Sequence, residues 1–463
     1  MASLLPLPAR DLTAEAIDRA RPLLTVRNIL LVIVALALWL RLVYVTELPG
    51  QTIGELQPLD YLLGDAARYD SVATNLLEGK GYRNTKGEDP VPVLPPAYPT
   101  FLAATYKLTA HSFTAVRVAQ AVIGAATCAV VYLIGLRAFN TASGLVAALL
   151  MAIYPWFIYY NRLLITETLF IFLLSLAVLA MLWAAERPVL RNLALAGVLL
   201  ALVNLTHSTA LLLPPLFAVW LIVALGLKQG ARSAAVFLAA FVLALVPWTA
   251  RNFIQYDQLI AVAAHGGTAL YVANNPNAIP DQYHSSKLRD YVRADMDEVE
   301  GKPFLEKDRI LRNKAINYIR DNPRTFVSNA WQRLQLFWRD VPARPVFNTP
   351  FLSSRLYLEN IDGIVLWMFA FGALAALSRW RSATLLLLVP LQFSLTHLFF
   401  PVMVNARSRV GAMEVVMVLA AFAVYAAWRL LALTPLAWQA ARSGIRERSW
   451  HDSWETIKAG LRS

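Results

Sequence analysis

The stretch Asn28–Val45, NILLVIVALALWLRLVYV, decides the fold of this chain. A helix over it covers about 27 Å at 1.5 Å per residue, close to the ~30 Å hydrocarbon core of a bilayer. Further along, Ser382–Phe400 reads SATLLLLVPLQFSLTHLFF and has the same character. Between such runs lie polar segments, and those that carry candidate chemistry, around Asp65, Glu167, Arg251 and Arg407, are all expected on one membrane face. The pattern points to an enzyme working on one side of a membrane.

Composition agrees. Of the 463 residues 58% are hydrophobic and only 16% charged, with a mean hydropathy of +0.50. A soluble domain of this size carries about 25% charged residues. Apolar runs of roughly 17 to 23 residues, each enough for one crossing, fall near 28–46, 114–136, 143–160, 164–184, 190–206, 209–227, 231–249, 361–378, 382–400 and 409–431. The sequence therefore predicts an all-α polytopic membrane protein with about ten transmembrane helices. The fifth and sixth runs are nearly fused, parted only by THST and the Pro214–Pro215 pair.

Orientation follows from Lys and Arg in the short loops, which are retained on the cytoplasmic side. Alternate loops carry them: Arg10, Arg19, Arg21 and Arg27, then Arg137, Arg187 and Arg191, Lys228 and Arg232, Arg379 and Arg381, and the tail with Arg442, Arg446 and Arg448. The opposite, extracytoplasmic face receives residues 47–112, the turn near Asn161, the hairpin near Thr206, the long segment 250–360 and the turn 401–408. The expected organisation is an N-terminal transmembrane module over 1–250 with its first outer loop at 47–112. An extracytoplasmic region over 251–360, C-terminal transmembrane helices over 361–431 and a cytoplasmic tail over 432–463 follow.

The net charge of +12 belongs largely to the cytoplasmic loop bias and is otherwise scattered, so no nucleic-acid partner is expected. Cys128 is the single cysteine and lies in the second apolar run, which rules out an intramolecular disulfide. A polar stretch of about 27 residues precedes the first run without a small-residue cleavage pattern after it, so that run is expected to stay as an anchor.

In the first outer loop, GDAARYDSVATNLLEGKGY places Ala66, Tyr69, Val72, Ala73, Leu76 and Leu77 at helical spacing, with Gly79 and Gly81 as a stop. This predicts an amphipathic helix on the bilayer with Asp65 at its N-terminal end and Asp70 solvated. A second amphipathic or re-entrant helix is expected after Pro95–Pro96. The segment 251–360 is mixed: QLIAVAAHGGTALYVANNPNA has alternation and turn residues, then helices begin near Pro303 and Pro323. Leu334, Phe337 and Trp338 predict a return to the membrane.

Ionisable groups at the mouths of apolar helices are costly unless used or paired. Asp65 reads either as a helix cap or as a general base. Glu167, at the outer mouth of the fourth run, reads either as a partner of Arg162 or as a catalytic or metal-binding carboxylate. Arg251, Arg407 and Arg409 are suited either to headgroup anchoring or to bidentate phosphate binding. His265 before Gly266–Gly267 is a possible donor to a phosphate or sugar, while His207 and His397 near helix ends lack a second ligand at metal spacing. The middles of the apolar runs read as largely clean.

These strings, in this order, resemble the GT-C membrane glycosyltransferases that use a polyprenyl-phosphate sugar, among them protein O-mannosyltransferases, aminoarabinose transferases and lipopolysaccharide-core glycosyltransferases. The resemblance rests on GDAARYDSVATNLLEGKGY and LPPAYPTFLA, on YYNRLLITETLF, on PWTARNF followed by HGGTALYVANNP, on AINYIRDNPRTFVSNAWQRLQLFW and on ARSRVGAMEVV. It implies a GT-C-like bundle, with amphipathic juxtamembrane helices in the first outer loop and a long mixed outer loop. It further implies an inverting sugar transfer to a hydroxyl of a lipid, glycan or protein in the cell envelope, on the periplasmic face of a bacterial inner membrane. Asp65 falls at the family's base, Glu167 at its second-loop acid, and Arg251, Arg407 and Arg409 near the carrier phosphate. Ala66 stands where relatives often have a second acid, Val93–Leu94 where aminoarabinose transferases have a Lys before the proline pair, and Gly411 where relatives often have Pro. Lys86 is the nearest substitute for that lysine. Relatives differ in their use of a divalent metal, so the resemblance implies no particular cofactor. Two readings from other classes are a secondary transporter, which would place ionisable groups and broken helices near mid-membrane, and an envelope-assembly scaffold binding through 250–360.

Overall fold

The computed structural model describes residues 25–46, 65–83, 94–264, 266–278, 298–339, 355–400 and 407–442. Among them every regular element is a helix. The first apolar run forms α1 (Val26–Thr46), the segment after it α2 (Asp65–Leu77) and α3 (Ala97–Thr109), and the next runs α4 (Phe113–Ala138), α5 (Thr141–Ile153), α6 (Pro155–Tyr160), α7 (Glu167–Glu186) and α8 (Leu190–Thr206). After a 3-10 turn at Ser208–Ala210 come α9 (Leu213–Leu225), α10 (Leu227–Tyr256), α11 (Gly266–Ala273), α12 (Phe304–Asp321), α13 (Pro323–Trp338), α14 (Arg355–Ala375), α15 (Trp380–Phe399) and α16 (Arg407–Arg442).

Each apolar run of the sequence coincides with helix, and the protein is a multi-pass membrane protein. Among the described residues seven stretches are long and apolar enough to cross a membrane, one of them, Ile361–Phe399, comprising two helices; Thr141–Ile153 and Leu190–Thr206 are shorter apolar helices. The nearly fused pair is separated by His207, whose extended backbone ends α8, and by the prolines that open α9.

The third run departs from expectation. It is not one crossing over 143–160: α5 stops at Ile153, Tyr154 is extended (φ −68°, ψ 121°) and Pro155 starts α6. Proline has no N–H to continue the ladder and disfavours a helical residue before it. The break leaves carbonyls at the end of α5 without intrahelical donors, a serious cost away from water. Arg41, fully buried in α1, meets that cost by donating from Nη1 to the Ala152 carbonyl at 3.1 Å and from Nη2 to the Met151 carbonyl at 3.2 Å. Gly124 of α4 makes room, since a Cβ there would lie 2.7 Å from Arg41 Nε and 2.6 Å from Asn161 Oδ1.

The runs are thus less clean than the sequence suggested. Besides Arg41, α16 buries Glu414, whose carboxylate oxygens have no hydrogen-bond partner among the described residues.

The helices between the apolar runs lie on the bundle through specific contacts. In α2, Ala66, Tyr69, Val72 and Ala73 of the expected stripe are buried, whereas Leu76 is only half-buried and Leu77 is exposed. Asp70 is not solvated as expected: it accepts from Tyr106 Oη at 2.8 Å and faces His111 Nε2 at 3.1 Å, tying α2 to the end of α3. The stretch 266–273, read from sequence as partly alternating, is the helix α11. Its N-terminus is capped by Asp308 of α12, which accepts from the Gly267 and Thr268 amides at 3.1 and 2.8 Å. From α13, buried Arg333 donates to the carbonyls of Ala273 and Leu398, each at 2.7 Å, and burial pushes its guanidinium down to about 10. The predicted return of α13 to the membrane is present: Phe337 is buried, and Trp338 stacks on Phe369 at 5.5 Å and donates to Ser394 at 3.1 Å.

Candidate active site

A cavity of about 290 Å³ opens where α2, α7, α8, α15 and α16 meet, lined on its polar side by Asp65, Arg68, Tyr69, Glu167, His207, His397 and Arg407. Its three central charged groups all stand at helix N-termini. Asp65 opens α2, Glu167 sits in the first turn of α7, and Arg407 opens α16. Acidic groups at helix N-termini are favoured by the helix dipole. The turn before Glu167 is pinned by α4: Gln120 donates to the Asn161 and Leu163 carbonyls at 2.8 and 2.9 Å, and Arg117 to the Arg162 carbonyl at 3.0 Å. Tyr98 of α3 in turn donates to Gln120 at 2.8 Å.

At the centre one guanidinium spans two carboxylates. Arg407 Nη2 is 2.9 Å from Asp65 Oδ2, and its Nε donates to Glu167 Oε1. Side-chain exposure falls from 62% at Arg68 and 34% at Asp65 to 20% at Arg407 and 4% at Glu167. Asp65 is therefore the carboxylate a solute entering from outside meets, and Glu167 the one behind it. Arg68 Nη1 approaches Asp65 at 3.8 Å. The phenol of Tyr69 is pushed above its ordinary range by burial and by the negative charges of Asp65 and Glu167, so it stays a neutral hydrogen-bond donor beside them.

Of the residues singled out in the sequence, Asp65, Glu167 and Arg407 converge. Glu167 is held by Arg407, while Arg162 lies over the Tyr44 ring at 5.6 Å. Arg409 turns away from the cavity: it is 2% exposed, donates to the Phe337 and Arg339 carbonyls at 2.8 and 2.9 Å and pairs with buried Asp362. It has no surface for a phosphate, because two residues along a helix reverse the direction of the side chain. Arg251 stands one layer out, among Tyr82, Trp248 and Tyr256 at 5.0 to 5.6 Å. Tyr82 donates to the Leu94 and Pro95 carbonyls at 2.9 and 3.1 Å, so Arg251 backs the cavity wall that those two residues form. Lys86 and His265 lie outside the described residues.

Sequence reasoning passed over Arg68 and Tyr69 and set aside His207 and His397. The helical spacing of α2 carried the signal for the first two, since positions 65, 68 and 69 share a face. Gly411 is also accounted for, because a Cβ would lie 2.6 Å from Phe170 Cε1 and 2.9 Å from Phe393 Cζ. Among the described residues no three His, Cys, Asp or Glu side chains gather as a metal-ligand set. The carboxylate pair already brackets a guanidinium, which does not fit a divalent ion between them.

Residues 93–250, about a third of the chain, match the family model described as dolichyl-phosphate-mannose-protein mannosyltransferase. The structure superposes on the archaeal oligosaccharyltransferase AglB from Archaeoglobus fulgidus, in complex with an inhibitory peptide and a dolichol-phosphate. The TM-score is 0.51 at 14% identity over 94% of this chain and 54% of that one. The fold is that of the GT-C glycosyltransferases. The apo form of the same archaeal enzyme gives a TM-score of 0.52 at 14% identity, with 94% of this chain and 56% of that one covered. This chain thus spans about half the length of the archaeal enzyme it superposes on. The overlap with ArnT from Cupriavidus metallidurans bound to undecaprenyl phosphate is looser, with a TM-score of 0.35 at 13% identity over 88% of this chain and 79% of that one. No curated protein matches the sequence.

Proposed function

We propose that this protein transfers a sugar from a polyprenyl-phosphate carrier to a hydroxyl group of a lipid, glycan or protein, at the extracytoplasmic face of a bacterial cytoplasmic membrane. The observation that carries this reading is the convergence of Asp65, Arg407 and Glu167 from distant segments on one cavity. The family-model match and the dolichol-phosphate held by the archaeal neighbour support a lipid-linked donor.

Asp65 takes the proton of the acceptor hydroxyl as its oxygen attacks the anomeric carbon. The bond from that carbon to the phosphate oxygen breaks on the opposite side, so the configuration inverts. A phosphate leaves without needing a strong acid, but it needs positive charge where its own charge grows. Arg68 and Arg407 supply that charge from the cavity wall. Glu167 touches neither reactant in this scheme; it holds Arg407, and through it Asp65, in place. Tyr69 donates to the acceptor or to the departing phosphate.

The test compares two assays on the purified chain in proteoliposomes. One follows transfer from synthetic polyprenyl-phosphate sugars to envelope extracts, read by mass spectrometry, and the other follows solute uptake. Transfer is expected. Uptake without transfer would replace this reading by a transporter, and absence of both would leave a binding scaffold.

A further inference from the structure

The inner part of the cavity contains two histidines that the scheme above does not use. His207 ends α8 and His397 lies in the last turns of α15, and both line the cavity with Phe170, Phe393 and Gly411. Their rings are fixed in opposite senses. His207 Nδ1 accepts from the Thr209 amide at 3.4 Å, with the Thr209 hydroxyl at 2.9 Å. A backbone N–H only donates, so the His207 proton sits on Nε2. His397 Nδ1 lies 2.7 Å from the Phe393 carbonyl, which only accepts, so its proton sits on Nδ1 and Nε2 keeps a lone pair. Neither Nε2 has a protein partner among the described residues. One ring thus presents a donor and the other an acceptor, both locked by backbone. The apolar walls between them are aromatic, with Phe170 at 5.4 Å from the His207 ring and 6.1 Å from Phe393. Rings to stack against and a few fixed polar groups are what a small polyhydroxylated ligand requires.

We infer that His207 and His397 read two hydroxyl groups of the transferred sugar, His207 as donor and His397 as acceptor, and so set which sugar is accepted. The inference rests on the glycosyl-transfer reading and deepens it. Asp65, Arg68 and Arg407 at the outer part meet the phosphate and the acceptor, while the sugar ring lies inward against Phe170 and Phe393.

The test is equilibrium binding to the full chain in nanodiscs. The probes are decaprenyl phosphate, decaprenyl-phosphate hexoses and pentoses, and the monodeoxy analogues of the best binder. His207→Asn and His397→Asn keep a polar atom at the Nδ1 position and drop the one at Nε2. Each is expected to weaken the best glycosylated donor about 5- to 30-fold, the effect of an unmade hydrogen bond at a desolvated site. Each leaves bare decaprenyl phosphate unchanged. The loss disappears with one deoxy analogue, a different one for each histidine, and His→Gln, which returns a polar atom near Nε2, recovers most of it. His→Phe serves in the same cycle where an Asn variant does not fold. Equal weakening of bare carrier and glycosylated donor, or no weakening at all, overturns the inference while glycosyl transfer stands. Failure of the unaltered chain to bind decaprenyl phosphate overturns both.

Discussion

Arg407 and Arg409 stand two residues apart in the first turn of α16, and the structure puts them to opposite uses. Arg407 lies on the cavity, 20% exposed, between Asp65 and Glu167. Arg409 lies in the interior, 2% exposed, fixed by two carbonyls and Asp362, with Tyr154 donating to the same carboxylate at 2.5 Å. The first arrangement faces solvent and can exchange partners when a ligand arrives. The second is closed, and it ties the end of α13 to α14 and to the break between α5 and α6. The lesson is that a guanidinium at a helix mouth is identified by what surrounds it and not by its position in a motif.

The largest expected effect comes from removing the chemistry on the open side. Asp65→Asn keeps the shape of the side chain but not a base, and a general base typically contributes about 10²- to 10⁴-fold in rate. Transfer should fall by that factor while the thermal unfolding midpoint stays that of the unaltered chain. Arg407→Lys keeps one charge but loses the planar fork that reaches both carboxylates, and it should lose activity in the same range. Near-normal transfer by Asp65→Asn would move the base elsewhere in the cavity.

On the closed side the expected effect is on folding. Arg409→Met leaves Asp362 buried beside Tyr154 with its cation gone, and breaking a buried pair on one side costs about 3–5 kcal/mol. Yield and unfolding temperature in detergent should drop sharply. Adding Asp362→Asn removes the stranded charge and should recover much of the loss. If Arg409→Met unfolds normally and instead binds bare decaprenyl phosphate more weakly, the division between the two arginines is wrong.

Arg41 extends the closed class into the membrane. Arg41→Ala strips donors from the Met151 and Ala152 carbonyls, at about 1–3 kcal/mol for a buried group left unsatisfied. The unfolding midpoint should fall by less than for Arg409→Met, and Arg41→Lys should restore part of it.

The arginines also show what the sequence could convey. Helices were legible because lipid imposes a long apolar run on every crossing, and Asp65, Glu167 and Arg407 because ionisable groups at helix mouths are expensive and therefore few. The use of Arg41 was not, since the carbonyls it caps lie about 110 residues away and no periodicity reports a contact of that separation. Pro155 marks the break it serves, but hydropathy reads the run as continuous and the expectation of one crossing over 143–160 followed hydropathy. Arg409 looks like Arg407 in any composition, and only the packing of α13 and α14 tells them apart. Tyr69 was visible only as part of an apolar stripe, because a phenol counts as apolar in a pattern until two carboxylates are seen beside it.

The smallest expected effect concerns pH on the open side. Burial lowers the pKa of His207 from its ordinary 6.5; Glu167 and Asp65 pull it up and Arg407 pushes it down, but burial dominates. A histidine lowered in the folded state binds fewer protons there than when unfolded, so its contribution is intact above 6.5 and is lost as pH falls below that value. Protonation also puts a hydrogen on Nδ1, facing the Thr209 amide that the neutral ring accepts from. Transfer should therefore decline on the acid side, by no more than about tenfold per pH unit for a single proton, while remaining flat from pH 7 to 8. His207→Gln cannot titrate, and its acid limb should be shallower than that of the unaltered chain. An identical acid limb in both would assign the titration to another group of the cavity, leaving His207 neutral throughout and fixed only by Thr209.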